Sequence, residues 1–149
     1  MDKTAIEHWS PVIGGQFWWT GLIFVLIFVP LMILLGSKIS SKQRDMVFYG
    51  MGIYLLANKA LTQIGYIFSD NYIMASNLPL HLCGLSGILA GIVVFYRKQI
   101  LFEFLYFFGL VGFIHSVLTP EFTGGVSSWK IFDYYVGHSM LIIIPVWLM

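Results

Sequence analysis

Apolar residues run along this chain in five long blocks, at about 16–36, 46–68, 78–96, 99–118 and 131–149, separated by short polar stretches. Each block holds roughly 20 residues, and at about 1.5 Å per residue a helix of that length crosses roughly 30 Å of hydrocarbon. The short alternating segments that would build a closed barrel are missing. The pattern predicts an all-α fold, one polytopic transmembrane bundle of about five spans, with no internal repeat, low-complexity tract or second domain.

Small residues interrupt two of the blocks at helical spacing. Gly87 and Gly91 form a small-xxx-small pair in the third span, with Gly84 and Ala90 beside them, and Gly112 and Ser116 do the same in the fourth after Gly109. Such positions let helix backbones approach closely in lipid, so spans three and four are expected at the centre of the bundle. Pro30 and Pro145 fall inside spans one and five, where each frees a carbonyl one turn earlier and bends the helix without ending it.

Composition turns this pattern into a membrane assignment. The chain has 149 residues, 58% hydrophobic and 10% charged, which excludes a water-soluble core. A net charge of +1 gives no basic or acidic field, so nucleic acid has no support as a partner and membrane lipids are the expected one. Lys38, Lys42, Arg44, Arg97 and Lys98 lie in the loops of one side, Lys3 and Lys130 on the other, and the positive-inside rule then puts the amino terminus outside. Trp9, Trp18, Trp19, Tyr72 and Trp129 mark the outer boundary, Tyr96 and Trp147 the inner one. The first fifteen residues carry Asp2, Lys3, Glu7, His8 and Pro11 ahead of a run without a small-residue cleavage pattern, so the first span is read as retained. The last block stops at Met149 without a polar flank; the fifth helix either ends in the interface or the chain is a piece of a longer protein, and truncation is the expectation.

Candidate chemistry sits where polar groups are costly. Leu78-Pro79-Leu80-His81-Leu82-Cys83 places a histidine and the single cysteine at the mouth of span three. Alone, Cys83 reads either as a small apolar filler or as a thiol kept for its reactivity. Span two carries Asn58, Lys59, Thr62 and Gln63 on one arc of about 140° that also holds Tyr66, Leu55 and Gly52. A lysine at this depth costs on the order of 2.5 to 3.5 kcal/mol on insertion scales, which sends Lys59 to the bundle interior or a wet cavity unless it snorkels to the headgroups. By helical rise, Cys83 lies about 7 Å below the outer boundary, His115 about 5 Å, His138 about 10 Å and Lys59 slightly deeper, a common layer reached from four spans.

A thiol attacks as thiolate and needs a base. His81 is near in sequence, but residues two apart on a helix point about 200° away from each other; beside the positive end of the helix dipole it should resist protonation, which suits substrate hydrogen bonding better. His138 comes from another helix with Tyr134 and Tyr135 one turn before it, and His115 is its competitor. Against a Cys-His pair stand satisfied buried histidines and a packing cysteine. His8 reads as solvated and Glu103, one turn into span four, as interfacial. There is no His pair at i, i+4, no CxxC and no phosphate loop, Gly124-Gly125 being a turn, so no metal or cofactor is expected.

The LPLHLCGLS string at 78–86, Leu118-Thr119-Pro120 closing span four and Tyr134-Tyr135-Val136-Gly137-His138-Ser139 in span five together resemble the YwaF family of integral membrane proteins, over roughly residues 45 to 149. That resemblance implies a bacterial plasma membrane. It also implies kinship with eukaryotic multi-span acyltransferases that load ether phospholipids through a cysteine acyl-enzyme, with Cys83 as nucleophile and His138 as general base. Family members usually carry at least one more span. The expected function is then lipid acyl transfer or lipid hydrolysis near the outer leaflet, with Asn58, Gln63 or Lys59 as oxyanion or phosphate partners. The alternatives are a binding or transport module built on Lys59 and the histidines, and a helper subunit whose polar residues only hold helices together.

Overall fold

A computed structural model describes residues 8–68, 82–123 and 126–149. Among the described residues the chain forms five helices, α1 Gln16–Lys38, α2 Ser41–Ile67, α3 Leu82–Phe95, α4 Gln99–Leu118 and α5 Ser128–Leu148. Two strands of two residues, β1 His8–Trp9 and β2 Phe122–Thr123, pair antiparallel with Trp9 opposite Phe122. This ribbon had no signal in the apolar pattern.

Local chemistry sets the helix starts. Gly14 takes a positive φ of 80°, which lets the chain turn so that Gly15 N–H donates to Val12 O at 2.9 Å just before α1. A capping box opens α2, with Gln43 N–H donating to Ser40 Oγ and Ser40 N–H donating to Gln43 Oε1. Ser127 Oγ accepts from Lys130 N–H at 3.3 Å to open α5. Helices α1 and α5 both continue through their prolines, and Pro145 is fully buried.

This is a membrane protein. Large apolar side chains cover its outside: Leu26 is 63% exposed, Ile27 62% and Phe107 65%, a surface suited to lipid and not to water. Helices α1, α4 and α5 are long and apolar enough to cross a bilayer. The other two do not meet that standard alone. Helix α2 has 27 residues, but a charged first turn and a polar face lower its hydropathy, and α3 has 14 described residues.

The centre of the bundle differs from the expectation for spans three and four. Helix α5 packs on α4, α1 and α3, and α3 packs on α2, α4 and α5, whereas α4 leaves much of its surface outward. Leu141, Ile143, Ile144 and Pro145 of α5 are fully buried. The small residues of α4 serve as seats for this helix, since a Cβ on Gly109 would lie 3.0 Å from Leu141 O. On α1, Gly21 receives the ring of Tyr135 and Gly36 the indole of Trp147. Helices α2 and α3 interlock through Gly52 against Val94 and Gly91 against Leu56.

The last contact makes a prediction. A Cβ at Gly52 would fall 2.8 Å from Val94 Cγ1 and 2.9 Å from its Cβ, and Val94 is a stiff, fully buried side chain. Gly52→Ala should destabilise by about 1–3 kcal/mol, whereas Gly50→Ala, with nothing within 4 Å, should be neutral or slightly stabilising. Unfolding midpoints of the two variants in one detergent check this, and equal midpoints would refute the interlock.

Candidate functional site

The site lies at the end of the bundle where α3 and α5 begin and α2 and α4 finish. Cys83 occupies the first turn of α3 and is half-buried. Its Sγ–H points to Gly112 O on α4 at 3.9 Å, a weak hydrogen bond, and a Cβ at Gly112 would lie in ordinary contact with the sulfur at 3.7 Å. From α2, Lys59 reaches across Gly87, whose Cβ would lie 3.3 Å from Lys59 Cε, and its ammonium interacts electrostatically with Cys83.

Helix α5 supplies Tyr134 and His138. They are one turn apart, and their rings stack at 4.2 Å with a 39° tilt. His138 Nδ1 lies 2.7 Å from Tyr134 O. A carbonyl only accepts, so Nδ1 carries the proton and Nε2 is the basic nitrogen of the neutral ring. Tyr134 also interacts electrostatically with Cys83 at this end of the bundle. Its hydroxyl donates to Ser116 O at 3.1 Å and accepts from Glu121 N–H at 3.4 Å, pinning the ring to the end of α4. Phe122 of the ribbon packs on it at 4.7 Å, and Trp9 packs on Phe122 at 5.6 Å. Trp18 Nε1–H donates to Leu118 O at 2.8 Å, so the amino-terminal segment and α1 close this end from the side.

The other polar residues divide. Asn58 faces α5 and donates through Nδ2 to Asp133 Oδ1 at 2.7 Å, and Tyr54 Oη donates to the same oxygen. Gln63 is half-buried and partnered, Thr62 is exposed, and Tyr135 turns to α1. The polar arc of α2 therefore serves two neighbours, with Tyr54 and Asn58 against α5 and Lys59 against α3. His115 is not part of the cluster: its side chain is exposed on the bundle surface, because α4 turns Gly112 and Ser116 inward and residue 115 outward. Glu103 is exposed and accepts from Gln99 Nε2 at 2.9 Å. His81, with Leu78, Pro79 and Leu80, lies outside the described residues. Among the described residues no group of three His, Cys, Asp or Glu could hold a metal ion.

The model of the TMEM164 family matches residues 7–149, nearly the whole chain. The chain belongs to the TMEM164 family. This corrects the resemblance to YwaF proteins, which rested on three short motifs over part of the chain, whereas the TMEM164 family model extends to the first helix and the ribbon. The link to ether-phospholipid acyltransferases and the bacterial membrane came with that resemblance and lose their basis with it. No curated protein and no solved structure matches this TMEM164 family member.

Asp133 is the residue that motif reading passed over. It is the one carboxylate in the fifth apolar block, and a carboxylate inside such a block demands donors. Tyr54 and Asn58, one turn apart on α2, supply them. Asp133→Ala strands both donors and should cost about 1–3 kcal/mol, with Asn58→Ala and Asp133→Ala coupled by about 1 kcal/mol in a double-mutant cycle. Additive losses in unfolding experiments would mean that this bond does not link the two helices.

Proposed function

We propose that this chain is a membrane-embedded lipid acyltransferase or lipid hydrolase in which Cys83 is the nucleophile and His138 the base. One observation carries the reading. The single thiol is met by Gly112 O of α4 at 3.9 Å and by the charge of Lys59 from α2, and Tyr134 and His138 of α5 stand at the same end of the bundle. Such a gathering around a sulfur that only needed to fill space is uneconomical, since each buried polar group has to be satisfied.

The substrate class follows from depth. Cys83 stands in the first turn of its helix, the level of a phospholipid ester carbonyl when the helix end meets the headgroups. His138 Nε2 takes the thiol proton as sulfur attacks the acyl carbon, the ester C–O bond breaks, and the imidazolium returns the proton to the departing lysolipid oxygen. An acceptor hydroxyl then gives its proton to His138 and forms the new C–O bond as the C–S bond breaks. A lysolipid acceptor makes the reaction a transfer, and water makes it a hydrolysis. Lys59 supplies positive charge beside the reacting sulfur and for the lipid phosphate, and Gln63 stands one turn further along α2 as a second polar contact. Asn58 supports the site through Asp133 rather than by touching substrate. The distribution of Lys and Arg in the loops favours this end, and the amino terminus with it, facing the outer side.

Labelling with an ester-reactive acyl probe in lipid vesicles tests the assignment. Cys83 is the sole cysteine, so a hydroxylamine-labile acyl group on the wild-type chain marks it alone. Cys83→Ala should abolish both label and turnover, and His138→Gln should lower the rate by about 10²–10⁴. Turnover of Cys83→Ala at the wild-type rate would end the proposal and leave the thiol a packing residue.

A further inference from the structure

At the opposite end of the bundle from Cys83 lies a cavity of about 560 Å³, within the range of about 300–1,000 Å³ common for small-molecule sites. Val93 forms part of its wall, ten residues and about 15 Å along α3 from the thiol. Its charged lining is one-sided. Among its side chains Arg44, Arg97 and Lys98 face a single carboxylate, Asp45, and Trp147, Leu148 and Met149 complete the wall. Arg97 Nη2 lies 3.3 Å from Asp45 Oδ1, and its guanidinium is held over the rings of Phe48 at 5.4 Å and Tyr49 at 5.8 Å. Asp45 is thereby engaged, and Arg44 and Lys98 are left in excess.

The backbone adds to the field. Helices α2 and α4 both start at this end, and neither has an acidic residue in its first turn to offset the positive end of its dipole. The N-cap of α4 is Lys98, whose side chain offers no acceptor to the first amides, and Gln99 turns its amide away to Glu103. Three cations and the amino terminus of α4 around a cavity with an aromatic floor of Phe48 and Phe102 favour an anion there.

We propose that this cavity binds a phosphate ester, entered from the headgroup layer at that end of the bundle. Arg97, oriented by Asp45 and the two rings, presents planar donors to the phosphate oxygens; Arg44 and Lys98 neutralise the remaining charge. Phe48, Phe102 and Trp147 pack against the apolar part of the ester. A lipid headgroup and a small soluble ester share this chemistry, and only the first brings acyl chains to the bundle wall.

The full chain is reconstituted in phosphatidylcholine nanodiscs with or without phosphatidylglycerol, and lipids retained after detergent extraction are counted by native mass spectrometry. In parallel, glycerol 3-phosphate and inorganic phosphate are titrated against the thermal midpoint in detergent. Retention of the anionic over the zwitterionic lipid by tenfold or more supports a headgroup site, and a saturable rise in midpoint with glycerol 3-phosphate but without lipid preference supports a soluble ester. In either case Arg44→Gln with Lys98→Gln should abolish the effect, and Arg44→Lys should keep most of it. Lys38→Gln with Lys42→Gln removes as much charge from the last turn of α1 and the first turn of α2, outside the cavity, and should change nothing. Equal losses in the two double variants would reduce the effect to diffuse surface attraction and overturn the proposal, as would a wild-type chain that responds to neither ligand. Should the first double variant not fold, the single variants Arg44→Gln and Lys98→Gln carry the same comparison.

Discussion

The carboxylate of Asp133 is the constraint on which the rest of this structure turns. In an apolar slab it has to be met by donors, and Tyr54 and Asn58, one turn apart on α2, meet it from across the bundle. Once these side chains are engaged, the rotation and depth of α2 relative to α5 are set. The next residue on each helix is about 100° further round. Lys59 then turns toward Gly87 and Cys83, and Tyr134 turns toward Cys83 from the other side. A structural hydrogen bond between two helices thus orients the groups around the thiol on a third.

Packing reinforces that geometry without help from water. Lipid is as apolar as leucine, so helix association rests on close fit. Helix α5 is the common partner because its neighbours leave space for it: Gly21 and Gly36 of α1 accept the rings of Tyr135 and Trp147, and Gly109 of α4 accepts the α5 backbone. The ribbon of Trp9 and Phe122 then closes over Tyr134. The two ends of the resulting bundle differ in character. One gathers a thiol, an imidazole and a phenol among aromatic rings, and the other gathers cations and the amino terminus of α4 around a cavity.

Membership of the TMEM164 family spans residues 7–149, and so includes the elements that carry both ends. The likeness to YwaF proteins rested on three short motifs over part of the chain, whereas the TMEM164 family model matches residues 7–149. Cys83, His138 and Lys59 were singled out because each is costly or reactive where it stands, and that reasoning did not depend on the family name.

The chain by itself determined the helices and their membrane habitat, because runs of apolar residues near 20 long have few other stable fates, and it marked Lys59 and Asn58 as facing inward by their cost in lipid. Helical spacing pointed to Tyr134 and Tyr135 as partners of the His138 ring; Tyr134, four residues before it, is its neighbour, and Tyr135 turns to α1. Only the tertiary structure decided which faces meet. Small-residue spacing marks close approach without naming the partner, so α4 was expected at the centre where α5 stands, and depth alone could not tell that His115 turns outward while Tyr134 turns in. Asp133 shows the limit most clearly: its cost is visible in one block, but its donors lie 75 and 79 positions away, and lipid imposes no sequence pattern that ties them together.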